Sequence, residues 1–399
     1  MNLLVKPTHR CNMNCSYCYD RIKRQSIKQD MTLDMVADIL DKLPTNTSIS
    51  SWIWHGGECT LMGSSWLYQA NKVIRSKFKN LQLSMQTNGV NLTDDFLDLA
   101  LEFDMHVGIS FDGINHDKTR SNNSSIILNN IKHAIDKGVK FGLITVLDRN
   151  NISCIKENIK YYLDNNITSF SFNTIFPKSY YENKIDNVLG MPQYEYVNKL
   201  KEYFDFHLFS KDNNSDRSNL NWILLLLGNK KITCNLTDCR YNWLCINPIG
   251  EIYPCDEPYD NNYMLDTIYD YDNLLDAYNH KNYEKFSNEI RLRKENCFLT
   301  CDYSSICEGG CKHAESIAIY GTAKKITNSY CYMFKNMINH VGNRLLSLSQ
   351  EDVYKLNNSI FYTLFKDNEA DVNILKQTII KNNPKLITAF LSYKEEKYL

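Results

Sequence analysis

The sequence lacks a long hydrophobic run, a secretory signal and a large net charge. Its longest apolar stretch, WILLLLG at 222–228, is far shorter than the roughly 18 residues that a transmembrane helix requires. The first ten residues, MNLLVKPTHR, contain neither the apolar core nor the cleavage site of a signal peptide. The net charge is −1, so no overall basic field attracts nucleic acid or an anionic membrane. We therefore expect a cytoplasmic protein with neither a nucleic acid nor a membrane as its partner.

Cysteine, by contrast, is abundant, with 14 residues in a chain of 399. In a reducing compartment disulfides are rare, and clustered thiols indicate metal or redox chemistry. Cys59 and Cys154 stand alone, and we interpret them as small buried hydrophobic residues. The other cysteines fall into two groups, three within residues 11–18 and nine within residues 234–331. These two groups are the candidates for metal ligands.

Strand-like and helix-like segments alternate from the N-terminus to about residue 210. The strand-like segments are 3–6, 50–55, 81–86, 106–111, 140–147 and 169–176. The helix-like segments are 32–43, 66–78, 94–102, 124–137 and 153–164, and Thr32 is the expected N-cap of the first helix. Six strand–helix units predict an α/β fold with a parallel sheet and right-handed crossovers, either an open wound sheet or a partial barrel.

The pattern changes after residue 210. The polar stretch KDNNSDRSNLN, 211–221, indicates a linker or loop, and the cysteine-rich region beyond it shows little regular period. Such a region predicts a small domain that needs metal–ligand bonds to hold a modest core. We expect three parts: a barrel over 1–230, a cysteine-rich domain over 231–340 and a helical C-terminal segment over 341–399.

Polar motifs follow each of the first four strand-like segments. CNMNCSYC follows the first, Gly56-Gly57-Glu58 the second, QTNG at 86–89 the third, and SFDG at 110–113 the fourth. The carboxyl ends of parallel strands meet at one edge of a sheet or barrel, where such folds place their chemistry. The four motifs are therefore expected to build one site.

The motif CNMNCSYC has the spacing C-x3-C-x2-C. Three thiolates on one short loop can bind three corners of an iron–sulfur cubane, whereas such cubanes usually take four thiolates. Zinc is the alternative, with His9 as a possible fourth ligand, although structural zinc sites typically use paired short spacings. The spacing alone leaves both metals open.

The same motif, placed after a first strand and followed by the other three, resembles the radical S-adenosylmethionine (SAM) superfamily. The resemblance implies that Cys11, Cys15 and Cys18 hold a [4Fe-4S] cluster. It further implies that the open iron of this cluster chelates the amino and carboxylate groups of SAM. One electron from the cluster would then cleave SAM to a 5′-deoxyadenosyl radical, which abstracts a hydrogen atom from the substrate.

The resemblance also implies a set of SAM-binding residues: Tyr17, Gly56, Gly57, Glu58, Asn88, Ser110 and Arg120. Gly56-Gly57-Glu58 would meet the methionyl amino group, and Tyr17 would lie by the adenine. Ser110 and Arg120 resemble positions that bind the ribose and the SAM carboxylate, and a guanidinium fork suits a carboxylate. Asn88 would orient SAM or the substrate, with a turn role as the alternative.

The second cysteine group resembles the SPASM extension of radical SAM enzymes, which holds two auxiliary [4Fe-4S] clusters. The resemblance implies a first auxiliary cluster on Cys239, Cys245, Cys255 and Cys311. It implies a second on Cys297, Cys301, Cys307 and Cys331, for three clusters in all. Cys234 could replace Cys239, and three residues rather than two separate Cys297 from Cys301. Zinc remains the alternative metal.

Within this resemblance the nearest groups are anaerobic sulfatase-maturing enzymes and maturases of ribosomally made peptides. We expect oxidative modification of a peptide or protein side chain, by crosslink or thioether formation, with the auxiliary clusters as electron acceptors. Formylglycine formation from Cys or Ser is the alternative. Asp256, in YPCD, resembles the general base of sulfatase maturation. A flavodoxin- or ferredoxin-type electron donor is implied. Two other hypotheses are an RNA-modifying enzyme and a non-enzymatic iron–sulfur carrier or zinc scaffold.

Overall fold

The computed structural model describes most of the chain, and the structural statements below concern the described residues. These are 1–18, 20, 26–44, 49–174, 191, 193–211, 216–229, 238–256, 261–311, 329–366 and 369–393. Cys234 and residues 175–176 of the sixth expected strand lie outside them. The chain divides into two compact units. The first unit comprises Met1–Thr145 and Cys239–Glu289, and the second comprises Val146–Asp238 and Ile290–Leu399.

Six strands alternate with helices as the sequence predicts, and two further strands follow. They are β1 (Asn2–Val5), β2 (Ser51–Trp54), β3 (Gln82–Thr87), β4 (His106–Ser110), β5 (Phe141–Leu147), β6 (Phe170–Thr174), β7 (Trp243–Ile246) and β8 (Ile252–Tyr253). In the first unit the strand order is β5-β4-β3-β2-β1-β7-β8. Every pair is parallel except β7 with β8, which is antiparallel. This is the α/β architecture of a partial (β/α)6 TIM-like barrel.

The strands form around apolar side chains that recur at every second position, and in β2 and β3 these buried residues alternate with less buried ones. Trp52 and Trp54 on β2 and Val107 and Ile109 on β4 are fully buried. Register then aligns the strand ends: Val5 of β1 lies opposite Trp54, which lies opposite Met85 of β3. The residues that follow each strand consequently emerge at one edge of the sheet.

The helices cover the strands in the first unit and dominate the second. They are α1 (Leu33–Asp41), α2 (Ser64–Lys77), α3 (Asp94–Glu102), α4 (His116–Thr119), α5 (Ser124–Asp136), α6 (Ile155–Asp164), α7 (Gln193–Phe209), α8 (Arg217–Leu226), α9 (Lys281–Thr300), α10 (Ser329–Ser347), α11 (Gln350–Val353), α12 (Asn358–Phe365), α13 (Val372–Asn382) and α14 (Ile387–Ser392). The Thr32 hydroxyl accepts from the Met35 amide, which confirms the expected N-cap. In the described part of the chain no helix is both long and apolar enough to cross a membrane.

Two expectations about regular structure are wrong. The segment 211–221 is not wholly a loop, because Asp216 accepts from the Ser218 amide and starts α8 at Arg217. The cysteine-rich region contains the 20-residue helix α9. The buried apolar residues of this helix are only Tyr283, Phe286 and Ile290, spaced three and four residues apart. Because most of the other residues are polar, the sequence shows only a weak helical periodicity.

The C-terminal residues form the helices that the sequence predicts, and they build the core of the second unit. Buried side chains from α7, α8 and α10 to α14 make one apolar cluster that includes Phe204, Ile223, Val341, Ile360 and Ile379. The longest apolar run in the sequence is therefore explained by burial, since Ile223, Leu225 and Leu226 lie inside this cluster.

Candidate active site

The loop that carries the first three cysteines follows β1 directly. The Cys11 thiol accepts a hydrogen bond from the Met13 amide, with an N–S distance of 3.4 Å. Asn88, at the end of β3, lies 3.8 Å from the Cys11 sulfur through its Nδ2 and donates to Asn12 Oδ1 at 2.7 Å. N–H groups aimed at a cysteine sulfur are typical of thiolates that bind iron–sulfur clusters.

The Gly56-Gly57-Glu58 segment, after β2, packs against the backbone of the same loop. Gly57 N donates to Thr8 O at 3.0 Å, and Glu58 N donates to Arg10 O at 2.8 Å. A Cβ atom at Gly57 would lie 2.3 Å from the carbonyl oxygen of Arg10, and Gly56 has a φ of +124°. Only glycine allows this approach, so the two glycines bring the ends of β1 and β2 together.

The Glu58 carboxylate links the ends of β2 and β3 through hydrogen bonds. It is almost fully buried and accepts four hydrogen bonds, from the Thr60 amide and hydroxyl, the Thr87 hydroxyl and the Asn88 amide, over 2.6 to 3.1 Å. Burial raises the pKa of Glu58, while these donors oppose the rise. Within the described residues, this carboxylate is occupied by the protein's own donors.

The buried Asp112 carboxylate, after β4, is the acceptor in a second network of hydrogen bonds. Its Oδ2 accepts from Tyr17 Oη at 2.6 Å, from Thr119 Oγ1 at 2.7 Å and from Arg120 Nε at 3.1 Å. The Arg120 guanidinium lies over the Tyr17 ring, 5.4 Å from its centroid. Burial opposes the charge on Arg120, but the Asp112 carboxylate offsets it and raises the pKa of Arg120. Asp112 thus fixes two residues that the resemblance assigns to SAM, and uses only Nε of the guanidinium.

Ser110 closes β4 and contacts β3. Gln86 Nε2 donates to Ser110 Oγ at 2.9 Å. A Cβ atom at Gly108 would lie only 2.2 Å from Gln86 Oε1, so the glycine makes room for this side chain. All seven expected SAM residues therefore lie in the first unit, Ser110 at the end of β4 and the others on the segments that follow β1 to β4.

Lys6 joins Asp256 to the residues around the three-cysteine loop. Its fully buried ammonium lies 2.5 Å from Asp256 Oδ1 and 3.4 Å from Asp20 Oδ1, and Asp20 Oδ2 lies 3.0 Å from His9 Nδ1. Burial lowers the pKa of Lys6, but Asp20 and Asp256 outweigh that and raise it. Asp256 keeps a partly exposed side chain. The network brings residue 256, which follows Cys255, beside the first motif.

The sequence placed Gln86 and Asp112 in the site only as members of the QTNG and SFDG motifs, with no role of their own, and it did not identify Lys6 or Asp20. Lys6 could have been recognised from the sequence, because a lysine directly after the apolar strand LLV is expected to be buried and then needs a charged partner. Asp112 belongs to the SFDG motif, but nothing in the motif shows that its carboxylate faces Tyr17 and Arg120. Asp20 and Gln86 depend on tertiary contacts that spacing does not reveal.

Four of the later cysteines group together in the second unit. Cys297 lies on α9, Cys331 on α10, and Cys301 and Cys307 flank the short 3-10 turn Asp302–Ser305. Burial, then the nearby Cys331 and Cys297 thiols, raise the pKa of Cys307 to about 12. Burial also raises the pKa of Cys331, with Cys297 and Cys301 adding to the rise. Cys307 and Cys331 are thus each within electrostatic reach of other thiols of this group.

Among the described residues, no group of three or more His, Cys, Asp or Glu side chains is arranged to hold a metal ion. The choice between a [4Fe-4S] cluster and zinc for these four cysteines therefore stays a prediction.

The remaining cysteines of the second group are divided between the units. Cys245 lies on β7, opposite Leu4 of β1, and it is fully buried. Cys255 comes two residues after β8, and Cys239 lies shortly before β7. Cys311 belongs to the second unit. Cys59 is fully buried, as expected, whereas Cys154 is only half-buried.

Comparison with known proteins defines the class of this site. Residues 5–162, which begin at the last residue of β1 and contain the three-cysteine loop and β2 to β5, match the Radical SAM superfamily model. The chain therefore carries a radical SAM domain, and the protein is an enzyme. This confirms the resemblance on which the sequence interpretation was based, and it excludes the non-enzymatic scaffold.

Several relatives are described as maturating enzymes or as a synthase. The chain is 24% identical over 373 residues to the cysteine-type anaerobic sulfatase-maturating enzyme of Clostridium perfringens, covering 88% of this chain and 98% of the relative. It is 25% identical over 381 residues to the enzyme of that description from Clostridium novyi, covering 89% and 99%. It is 21% identical to the radical SAM cyclopropyl synthase TigE of Paramaledivibacter caminithermalis, covering 87% and 75%. The protein is a radical SAM modification enzyme related to these maturases.

Solved structures confirm the fold. Native anSMEcpe with bound AdoMet matches with a TM-score of 0.74 and 22% identity, over 86% of this chain and 97% of that one. Streptococcus suis SuiB bound to the precursor peptide SuiA matches with a TM-score of 0.56 and 16% identity, over 78% and 72%. Both structural matches are evidence for the fold alone.

Proposed function

We propose that the protein oxidises a side chain of a peptide or protein, and that its product is formylglycine made from a cysteine. The supporting observation is the ion pair between Lys6 and Asp256, which brings the expected general base to the three-cysteine loop. The relatives described as cysteine-type sulfatase-maturating enzymes match over nearly their whole length. A peptide bound to anSMEcpe, named Cp18Cys, gives the substrate class a precedent in this fold.

In this proposal Cys11, Cys15 and Cys18 hold a [4Fe-4S] cluster and leave one iron open for SAM. When bound, the cluster and SAM together supply a 5′-deoxyadenosyl radical that removes a hydrogen atom from the substrate. Asn88 and the Met13 amide direct N–H groups at the Cys11 sulfur and hold the loop in place.

The protein's own contacts suggest how SAM is oriented. Glu58 holds the glycine segment rigid, so that the backbone of Gly56 and Gly57 can receive the methionyl amino group. Asp112 holds Arg120 through Nε, which directs the guanidinium toward the SAM carboxylate. Tyr17, which lies under that guanidinium, would contact the adenine, and Ser110 would bind the ribose.

Two auxiliary [4Fe-4S] clusters complete the proposal, because one of them would accept the electron that remains after the substrate cysteine has lost a hydrogen atom and a proton. Water would then replace the sulfur of the resulting thioaldehyde, and the sulfur would leave as hydrogen sulfide. Cys239, Cys245, Cys255 and Cys311 would hold the first, and Cys297, Cys301, Cys307 and Cys331 the second. Residues 1–230 would be the SAM-binding barrel, 231–340 the cluster domain, and 341–399 the helical C-terminal segment. The electron donor would be of the flavodoxin or ferredoxin type.

Asp256 is proposed as the group that takes a proton from the substrate. Its carboxylate is 16% exposed, so it can meet a side chain that enters from solvent. The buried Lys6 ammonium fixes its direction at 2.5 Å. A general base of this kind contributes a factor of about 10² to 10⁴ to the rate when it stands within hydrogen-bond reach.

The test is anaerobic incubation of reconstituted enzyme with SAM, dithionite and the Cp18Cys peptide. We expect 5′-deoxyadenosine together with a peptide aldehyde that reacts with a hydrazide reagent. The matched control is the same peptide with alanine in place of the target cysteine, which should give no aldehyde. Deoxyadenosine that forms at one rate with or without any peptide would contradict the proposal.

Crosslink formation is the second candidate. The matches to TigE and to SuiB bound to its precursor peptide favour it. A crosslink within one peptide removes two hydrogens and leaves no aldehyde, so mass spectrometry of the same reaction distinguishes the two products. An RNA substrate has no support from these relatives.

A further inference from the structure

His55 is a polar residue of the site that has no role in the proposed function. It lies between the end of β2 and the Gly56-Gly57-Glu58 segment, and its side chain is partly exposed. Its ring atom Nδ1 is buried and has no hydrogen-bond partner among the described residues. A buried polar atom without a partner costs free energy, so its presence calls for an explanation. Nδ1 of His55 is therefore a candidate contact for a molecule that enters the site.

The geometry of β2 gives the direction of the His55 side chain. Trp54 Nε1 donates to Asn71 of α2 at 2.8 Å, so Trp54 lies on the face of the sheet that α2 covers. The extended backbone continues through His55, whose amide donates to the Val5 carbonyl oxygen at 3.0 Å. Because successive side chains of a strand point to opposite faces, His55 points to the other face of the sheet, away from α2.

Lys6 is the neighbour of His55 on this face. Val5 lies opposite Trp54 in the parallel register, so the residues that follow them, Lys6 and His55, are also opposite each other. A Cβ atom at Gly56 would lie 3.5 Å from the Lys6 Cβ atom, so the two chains stay adjacent beyond the ends of the strands. Opposite residues of adjacent parallel strands share a face, and His55 and Lys6 therefore lie side by side.

The proposed proton acceptor, Asp256, joins this pair through Lys6. Lys6 Nζ lies 2.5 Å from Asp256 Oδ1. Burial lowers the pKa of His55, against the opposing charge of Asp256. The imidazole is therefore neutral near pH 7, and it has one nitrogen that donates and one that accepts a hydrogen bond. A neutral polar ring next to this ion pair suits an uncharged polar group, such as a thiol.

We propose that His55 is a further substrate-binding residue, and that its Nδ1 forms a hydrogen bond with the thiol of the target cysteine. This inference rests on the proposed function, because it takes a cysteine-containing peptide as the substrate. The position of His55 beside Lys6 and Asp256 favours the peptide over SAM as the molecule that it contacts. His55 thus holds the target side chain where Asp256 can receive its proton.

The test is a double-mutant cycle on peptide binding to the full-length reconstituted enzyme with SAM, without reductant so that no turnover occurs. The two probes are the fluorescently labelled Cp18Cys peptide and the same peptide with alanine in place of the target cysteine. Fluorescence anisotropy gives the Kd of each. We expect His55→Phe to reduce the preference for the cysteine peptide about three- to tenfold, the value of one hydrogen bond. The Kd of the alanine peptide should not change.

Further variants separate substrate binding from folding. His55→Asn should keep most of the preference, because its amide reaches the position of Nδ1, whereas the longer side chain of His55→Gln reaches that of Nε2 and should lose it. His55→Phe removes a buried polar atom that has no partner in the described structure, so its urea midpoint should not fall below that of wild type. His133→Phe, at an exposed histidine on α5, is the matched control and should bind both peptides as wild type does.

Equal losses of affinity for the two peptides, or a loss of SAM binding, would overturn this inference, because His55 would then act through the fold or through SAM. An unchanged preference in a His55→Phe enzyme that still forms the peptide aldehyde would overturn this inference alone. His55→Gln decides the question if His55→Phe does not load iron. A wild-type enzyme that does not bind Cp18Cys would overturn the proposed function, and this inference with it.

Discussion

The three-cysteine loop and the group of Cys297, Cys301, Cys307 and Cys331 are supported by different kinds of secondary structure. The loop with Cys11, Cys15 and Cys18 lies at the ends of parallel strands, where Glu58 and Asp112 join neighbouring loops through deeply buried hydrogen bonds. The group in the second unit is supported by helix faces, and its ion pairs are partly exposed. Register fixes the first site, so its parts should depend strongly on one another. Helix periodicity fixes the second, so single charges there should act more independently.

The largest effect should follow loss of the first cysteine group. Replacing Cys11, Cys15 and Cys18 together by alanine should abolish deoxyadenosine formation, since these thiolates are the proposed ligands of the SAM-binding cluster. Iron should fall from roughly twelve to about eight per chain, because each cubane holds four. Iron and sulfide analysis checks this, with Cys154→Ala as the matched single-thiol control. An iron content that does not change would show that the loop holds no cluster.

The second largest effects should follow changes in the ion pair between Lys6 and Asp256. Asp256→Asn should reduce formation of modified peptide by a factor of about 10² to 10⁴ while deoxyadenosine is still formed, because only the proton acceptor is lost. The two products are measured by mass spectrometry and chromatography in one reaction.

Lys6→Met should instead weaken the fold. It leaves the carboxylates of Asp20 and Asp256 without the buried ammonium that they share, at a cost of about 3 to 5 kcal/mol in the free energy of unfolding. Denaturant unfolding measures the change, and Lys42→Met, at a residue whose Nζ donates to the Tyr271 carbonyl, is the control. Equal stability of Lys6→Met and wild type would mean that the buried pair contributes nothing net.

Much of this architecture could be predicted, and the reasons are local. β1 to β5 are apolar runs of strand length bounded by turns, and each motif after them is contiguous in sequence. Short stretches of sequence therefore sufficed to predict both the strands and the edge of the sheet where the site lies. Helix α9 was missed because three apolar residues among polar ones give a weak period. The links Lys6–Asp256 and Tyr17–Asp112 join residues far apart in sequence, and no spacing rule predicts them.

His116 tests whether the strand-end site is sensitive to acid. Burial, with a smaller effect of Arg120, lowers the pKa of His116 to about 4 from an ordinary value of 6.5. The unfolded chain therefore binds a proton that the folded chain does not, so stability present above pH 6.5 is lost as the pH falls toward 4. We expect this residue to account for about 2 kcal/mol of the stability lost between pH 7 and pH 5. Comparing unfolding of wild type and His116→Gln at both values measures it, and equal losses in the two proteins would contradict the assignment.

The smallest effect is expected in the second unit. Glu308 accepts from Lys294 Nζ at 2.9 Å, but the two side chains are 24% and 37% exposed. Water and salt screen such a pair, so Glu308→Gln should reduce the free energy of unfolding by less than about 1 kcal/mol, and less at high salt. Iron content should not change, because neither residue is a proposed ligand. Unfolding at low and high ionic strength measures the effect. A loss as large as that of Lys6→Met would mean that the second site is as tightly coupled as the first, and the contrast between strand-built and helix-built groups would fail.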